Sequence, residues 1–300
     1  MKDVVLITGA NGSLAQSLAK QLNKDYAVRF LTTKKVLANK ESHFYWNLEK
    51  EYVDSRALAN CKHIIHLAGY PILKKWTKKN KQLIYNSRVK STSLLFSKCK
   101  SLNIKIEALI CASAIGIYES SLKEEVTEGA IKGDNWIAKM ACDWESAADK
   151  FKEIGARVIQ MRLSLIFNKN AGFLKYNLLS MQYGIGIVIG KGNNTINWIH
   201  IDDVVNFILE SIKNKNYTGP YNLASNETIS QRELIKFIKK KLFPYSVIIK
   251  VPIFLVKLLL GKRIQIIDTN ISISVNKLKE QGFLWKYNNL DKMLERNKSI

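Results

Sequence analysis

VVLITGANGSLA, Val4 to Ala15, decides the fold of this chain. Val4, Val5, Leu6 and Ile7 form a short apolar run that predicts a buried strand. Thr8, Gly9, Ala10, Asn11 and Gly12 break it, and Leu14, Leu18, Ala19 and Leu22 then recur at helical spacing. Strand, glycine turn and helix in this order make a phosphate site. The helix N-terminus offers free N–H groups and a positive dipole end, and glycines let backbone approach a pyrophosphate. The spacing is Gly9-x-x-Gly12-x-x-Ala15. Alanine takes the third position, where the helix packs on the strand and a methyl group fits.

The bulk numbers narrow the class. Three hundred residues with 47% hydrophobic content suit one large α/β unit or two domains. No apolar run reaches transmembrane length, and the N-terminus enters a strand at once without a signal-peptide pattern. Cys61, Cys99, Cys111 and Cys142 show no metal or redox spacing. A cytoplasmic protein without a metal site is therefore expected. The net charge is +22, from 47 Lys+Arg against 25 Asp+Glu. The cations are spread, with clusters at Lys74–Lys81 and Lys239–Lys241, and no zinc-finger or RNA-binding motif accompanies them. A solvated basic surface is the expectation, not a nucleic-acid face.

Strand and helix signals alternate through the first two thirds. Strands are predicted at Val28–Thr32, His43–Trp46, His63–Leu67, Ile106–Cys111 and Arg157–Ile166. Helices are predicted at about Lys78–Lys98 and Asn135–Ile154. Strands separated by helices imply a doubly wound parallel sheet. After Gly172 the pattern loosens, and Val251–Leu260 (VPIFLVKLLL) is strongly apolar.

Eight motifs in order give the chain a resemblance to the extended short-chain dehydrogenase/reductase superfamily. They are ITGANGSLA (Ile7–Ala15), HLAGYPILKKWT (His66–Thr77), NSRVKST (Asn86–Thr92), CASAIGIY (Cys111–Tyr118), CDWESAA (Cys142–Ala148), RLSLIF (Arg162–Phe167), NWIHIDDV (Asn197–Val204) and GPYNLAS (Gly219–Ser225). Within the superfamily they resemble the NAD-dependent epimerase/dehydratase family, and VPIFLVKLLLG looks like the small C-terminal domain of its epimerase-like group. The resemblance implies an α/β fold: a Rossmann-type domain over residues 1–165, also recruiting 196–225, and a smaller substrate-side α/β region over 166–300, with a family-specific segment at about 248–300. It implies a nucleotide sugar as partner, and leaves a homodimer open.

It also assigns sites. Gly9, Asn11, Gly12, Ser13 and Leu14 are the pyrophosphate candidates. The second strand ends Thr32-Thr33-Lys34-Lys35, with no acid for the ribose 2′-OH of NAD. Thr33, Lys34 and Lys35 suit the 2′-phosphate of NADP, with NAD as the alternative. Asn47 stands where the family often places an adenine-contacting Asp, and Leu67, Ala68 and Gly69 should pass the nicotinamide side. Arg88 replaces an Asn usual in the extended family and, on a buried helix face beside the cofactor pocket, needs an anionic or carbonyl partner.

The chemistry departs from the superfamily. Its members use a Tyr with a Lys four residues later, beside a Ser or Thr. Ser113 matches the latter, but the helix that should carry the pair reads WIAKMAC at Trp136–Cys142. Either another group takes the proton, with Tyr118 the first candidate and Lys139 as a source of charge, or the fold is a non-catalytic dinucleotide-binding regulator, for example one linked to cell division. His200, Asp202 and Asp203 are expected at a strand-to-helix junction, with Asp202 capping a helix from about Val204.

Overall fold

The computed structural model describes residues 2–39, 42–122, 124–266 and 270–295. The chain runs β1 (Val4–Thr8), α1 (Ser13–Leu22), β2 (Ala27–Thr32), β3 (His43–Asn47), β4 (Tyr52–Val53) and β5 (Cys61–His66). Next come α2 (Lys78–Tyr85), α3 (Ser91–Ser101), β6 (Ala108–Ala114), β7 (Glu125–Val126), α4 (Trp136–Asp149), β8 (Arg157–Leu163) and β9 (Leu165–Phe167). Then follow α5 (Gly172–Gln182), β10 (Ile185–Ile189), β11 (Thr195–His200), α6 (Ile201–Lys213), β12 (Gly219–Leu223) and β13 (Thr228–Ser230). The last elements are α7 (Gln231–Lys241), β14 (Val247–Val251), α8 (Ile253–Leu260), β15 (Ser272–Ile273), α9 (Asn276–Glu280) and α10 (Leu290–Glu295).

The large sheet has the order β12-β8-β6-β5-β1-β2-β3-β4. β1 pairs in parallel with both β2 and β5, and β5 with β6. The chain therefore moves outward from β1 on one side and returns to its other side, which puts the topological switch point at the C-terminal ends of β1 and β5. All five residues of β1 are buried. A parallel strand covered on both faces needs such an unbroken apolar run. This is the expected Rossmann-type α/β architecture.

The chain divides into two compact units. The first comprises Met1–Ile117, Lys132–Arg162 and Val205–Tyr221; the second comprises Tyr118–Ile131, Leu163–Val204 and Asn222–Ile300. Leu6, Ile7, Ile64, Ile65, Leu109 and Ile110 fill the core of the first. In the second, Phe167, Trp198, Leu178, Leu234, Ile235 and Ile238 belong to one buried cluster, with Phe167 stacked on Trp198 at 5.0 Å. Among the described residues no helix is long and apolar enough to cross a membrane.

Several local expectations are corrected. The helix expected over Lys78–Lys98 is two helices joined by a π-turn at Asn86–Lys90. The strand expected over Arg157–Ile166 is two, because Ser164 donates both its N–H and its hydroxyl to Leu223 O and the chain then joins β11 in a different sheet. α6 begins at Ile201, so Asp202 lies in its first turn and is not its cap.

Candidate functional site

The turn after β1 is built by two glycines for different reasons. Gly9 has φ +76°, and a Cβ there would lie 2.9 Å from Leu67 O. A side chain is excluded both by backbone conformation and by the strand beside it. Gly12 N–H closes the turn onto Gly9 O at 2.8 Å. Gly12 itself has φ −74° and ψ 143°, which any residue adopts, and it is the N-cap of α1. No side chain caps this helix, so the first-turn amides keep their donors for a ligand. Asn11 and Ser13 are exposed, Leu14 is half-buried and Ala15 is buried in the third glycine's place. A dinucleotide pyrophosphate fits this uncapped turn, which glycine leaves open at positions 9 and 12.

Next to the turn lies a buried polar chain. Thr8 Oγ1 accepts the N–H groups of Leu67 and Ala68, both at 3.0 Å, and meets His66 Nδ1 at 2.8 Å. The hydroxyl proton must therefore point at Nδ1. The ring then carries its proton on Nε2, which donates to Ser91 Oγ at 3.0 Å, and Ser91 donates on to Ser87 O and Arg88 O. Burial pushes the imidazole pKa down to about 4. Above pH 6.5 the neutral ring costs nothing relative to the unfolded chain; as pH falls from 6.5 toward 4 the unfolded state alone gains the proton. Stability from this site is thus lost over that window, by roughly 3 kcal/mol at its limit. The His66 imidazole is expected to titrate in an NMR experiment at about pH 4, and a midpoint near 6.5 would contradict the network.

The end of β2 carries no carboxylate. Thr33, Lys34 and Lys35 are exposed, Thr32 Oγ1 accepts the Lys34 N–H at 3.2 Å, and Lys35 Nζ stands 5.6 Å from the Tyr45 ring centre. Asn47 donates to Tyr45 Oη at 3.0 Å and accepts from Lys50 N at 2.9 Å. Leu67, Ala68 and Gly69 leave the tip of β5. A Cβ on Gly69 would come 3.0 Å from Arg88 Nη2. The π-turn holds Arg88 there, its Nη1 donating to Tyr70 O at 3.0 Å and Ile84 O at 3.2 Å, and its Cζ lying 5.3 Å from the Trp144 ring centre. Burial lowers this guanidinium to about 10. Among the described residues no carboxylate pairs with it.

Ser113 stands two residues beyond Cys111, which pairs with His66 in the parallel register. Its hydroxyl donates to Glu145 Oε1 at 2.7 Å. Arg162 grips the same carboxylate with two bonds of 2.8 Å, Nε to Oε1 and Nη2 to Oε2. Both charged side chains are buried, at 3% and 7% exposure. Reading the sequence missed this pair. The signal was present: one Glu in the apolar helix stretch CDWESAA and one Arg in the apolar strand VIQMRL need each other once buried. On α4, where the resemblance leads one to expect a Tyr–Lys pair, Ile137 Cγ2 would touch a Cβ on Gly116 at 3.2 Å, and Lys139 is exposed.

Tyr118 belongs to the second unit. Its hydroxyl donates to Asn222 Oδ1 at 2.5 Å, and Asn222 Nδ2 bonds Val126 O and Ser274 O, both at 3.1 Å. In that unit too, Asp203 accepts the N–H groups of Lys286 and Tyr287, and His200 Nδ1 accepts the Asp202 N–H. Burial raises the Asp203 carboxyl to about 6. Among the described residues no group of three or more His, Cys, Asp or Glu could hold a metal ion.

A switch-point glycine turn on a parallel sheet, with an uncapped helix behind it, defines a Rossmann-type protein. The chain belongs to the NAD-dependent epimerase/dehydratase family, whose sequence profile matches residues 5–224. An epimerase family protein of Staphylococcus aureus is 31% identical, with 97% of each chain covered. A human epimerase family protein crystallised with NADPH has the same fold at 20% identity, with a TM-score of 0.85 and 98% of each chain covered. A nucleoside-diphosphate sugar epimerase from Corynebacterium glutamicum superimposes with a TM-score of 0.78 at 22% identity, over 98% of this chain and 58% of that one.

Proposed function

We propose that this chain binds NADP(H) on the turn between β1 and α1 and acts, slowly, on a nucleotide sugar or related carbonyl compound. The observation that carries the reading is the cradle itself: an uncapped helix start at Gly12 beside a strand end with two lysines and no acid. The NADPH of the human neighbour and the sugar-nucleotide chemistry named for the Corynebacterium enzyme support it. A bound nicotinamide supplies or accepts a hydride. The amides of Gly12, Ser13 and Leu14 would hold the pyrophosphate, with Gly9 and Asn11 shaping the turn. Thr33, Lys34 and Lys35 would hold a 2′-phosphate, Asn47 would face the adenine, and Leu67, Ala68 and Gly69 would border the nicotinamide.

The chain's own acid–base group is the Ser113–Glu145 pair. The single hydroxyl proton of Ser113 faces Glu145, so the oxygen offers lone pairs to a substrate hydroxyl. As it takes the substrate's proton, its own passes to the carboxylate. Arg162 holds that carboxylate with two bonds and fixes it toward Ser113, and without the superfamily's Tyr–Lys pair turnover is slow. Arg88, whose Nη1 serves Tyr70 O and Ile84 O, would border the cofactor beside Gly69.

NADPH is expected to bind at least about tenfold tighter than NADH in calorimetric titration, equivalent to ~1.4 kcal/mol. The Lys34→Ala, Lys35→Ala double variant should erase that preference; equal affinities in the wild type would contradict it. On a panel of nucleotide sugars and carbonyl compounds, Ser113→Ala should lower turnover about 10²–10⁴-fold. Loss in Tyr118→Phe alone would instead assign the proton to that phenol. Tight NADPH binding with no turnover of any compound would favour the regulatory reading.

A further inference from the structure

The second unit carries an exposed apolar surface. α8 has seven apolar residues in eight, yet only Val256 is buried. Leu258 and Leu259 are 81% and 77% exposed, and Phe254 and Leu255 are exposed with them. A helix apolar on all sides normally lies inside a core or in lipid. The strand leading into it behaves the same way. β14 pairs with β10 in parallel, placing Ile185 beside Val247 and Ile187 beside Ile249. These four are all exposed, whereas Val188 on the alternate face is fully buried. The two surfaces are contiguous: Val251 O accepts the Gly190 N–H, and a Cβ on Gly190 would lie 3.6 Å from Ile253 Cβ.

The segments that build this surface carry charge of one sign. Lys257 interrupts the helix, and Lys262 and Arg263 follow it, whereas Lys250 pairs with Val188 and so belongs to the alternate face of the ribbon. Positions 171–200 and 242–266, which hold both strands and the helix, contain no Asp or Glu. A second copy of the chain would bring the same cations against themselves, on a protein of net charge +22. An anionic lipid headgroup layer complements them, while the bulky apolar side chains enter the acyl boundary beneath. Eight residues span about 12 Å, well short of the ~30 Å hydrocarbon core, so the helix would lie in the interface and not cross it.

We infer that α8 and the outer face of the β10–β14 ribbon form a docking surface for an anionic phospholipid bilayer, held by Phe254, Leu258 and Leu259 and flanked by Lys257 and Lys262. The dinucleotide turn belongs to the other unit.

Co-sedimentation of the full chain with phosphatidylglycerol-containing vesicles tests it, against pure phosphatidylcholine vesicles. Binding is expected to the anionic vesicles only and to weaken as salt rises. Phe254→Asp with Leu258→Asp should reduce it at least tenfold. Lys257→Glu with Lys262→Glu, which keeps every apolar side chain, should reduce it several-fold. Unchanged circular dichroism and NADPH affinity establish that both variants are folded. Failure of the wild type to bind, equal binding to both vesicle types, or binding that neither variant weakens would overturn the inference. So would a concentration-dependent dimer in analytical ultracentrifugation that the Phe254→Asp, Leu258→Asp variant abolishes, since the face would then be covered by a second copy.

Discussion

Glu145→Ala is expected to destabilise the protein by about 3–5 kcal/mol, a large part of the 5–15 kcal/mol that typically holds a domain folded. The substitution leaves the Arg162 guanidinium inside the first unit with no carboxylate to accept its two short bonds, and leaves the Ser113 hydroxyl without its acceptor. Water cannot rescue the charge cheaply, because the Arg162 side chain is 3% exposed. The control is to remove both charges. Glu145→Leu with Arg162→Met replaces a buried ion pair by apolar side chains of similar bulk, and such exchanges are often neutral or stabilising. Urea unfolding of the single and double variants separates the cases. A single variant that loses under ~1 kcal/mol would show that the pair does not balance a buried charge.

How far the residues announced this arrangement depended on whether a local pattern or a distant partner fixed it. The β1–turn–α1 unit was legible because its determinants are neighbours: four apolar residues, then a glycine whose left-handed φ no other residue adopts freely. The alternation of strand and helix that followed from it gave the parallel sheet. Periodicity alone could not divide the apolar run from Arg157 to Phe167, since both halves are equally apolar and only the bonds from Ser164 to Leu223 O show the chain changing sheets. Nor could it reveal the π-turn at Asn86–Lys90, where one widened turn shifts the register of a helix that otherwise continues. Glu145 and Arg162 were hidden because each is ordinary in isolation; they become informative only when the helix and the strand that carry them are both known to be buried. The role of Gly12 was legible as a motif, but the structure separates it from Gly9, as the following expectation uses.

Gly12→Val is expected to weaken dinucleotide binding by at least about 100-fold, ~2.7 kcal/mol, while the protein remains folded. The two glycines of the turn predict different failures. At Gly9 the backbone φ of +76° and the contact of 2.9 Å with Leu67 O mean that any side chain strains the fold itself. At Gly12 the backbone is ordinary, and a Cβ would meet a single atom within 4 Å, Gly9 O at 3.2 Å, which needs to yield by only a few tenths of an ångström. The remaining cost to the fold is the exchange of one N-cap residue for another without a capping group, on the order of 1 kcal/mol or less. Nothing in the fold therefore demands glycine at position 12, and the demand falls on what approaches from outside. A valine there would set two methyl groups over the first-turn amides of α1, in the space a pyrophosphate must enter to reach the Ser13 and Leu14 N–H groups. Calorimetry with NADPH, alongside thermal unfolding of the same sample, distinguishes the two kinds of loss. A folded Gly12→Val protein that binds NADPH as the wild type does would mean that the turn is a structural bend and that the dinucleotide, if bound, sits elsewhere. A Gly9→Val protein, by contrast, should lose stability first, and binding only as a consequence.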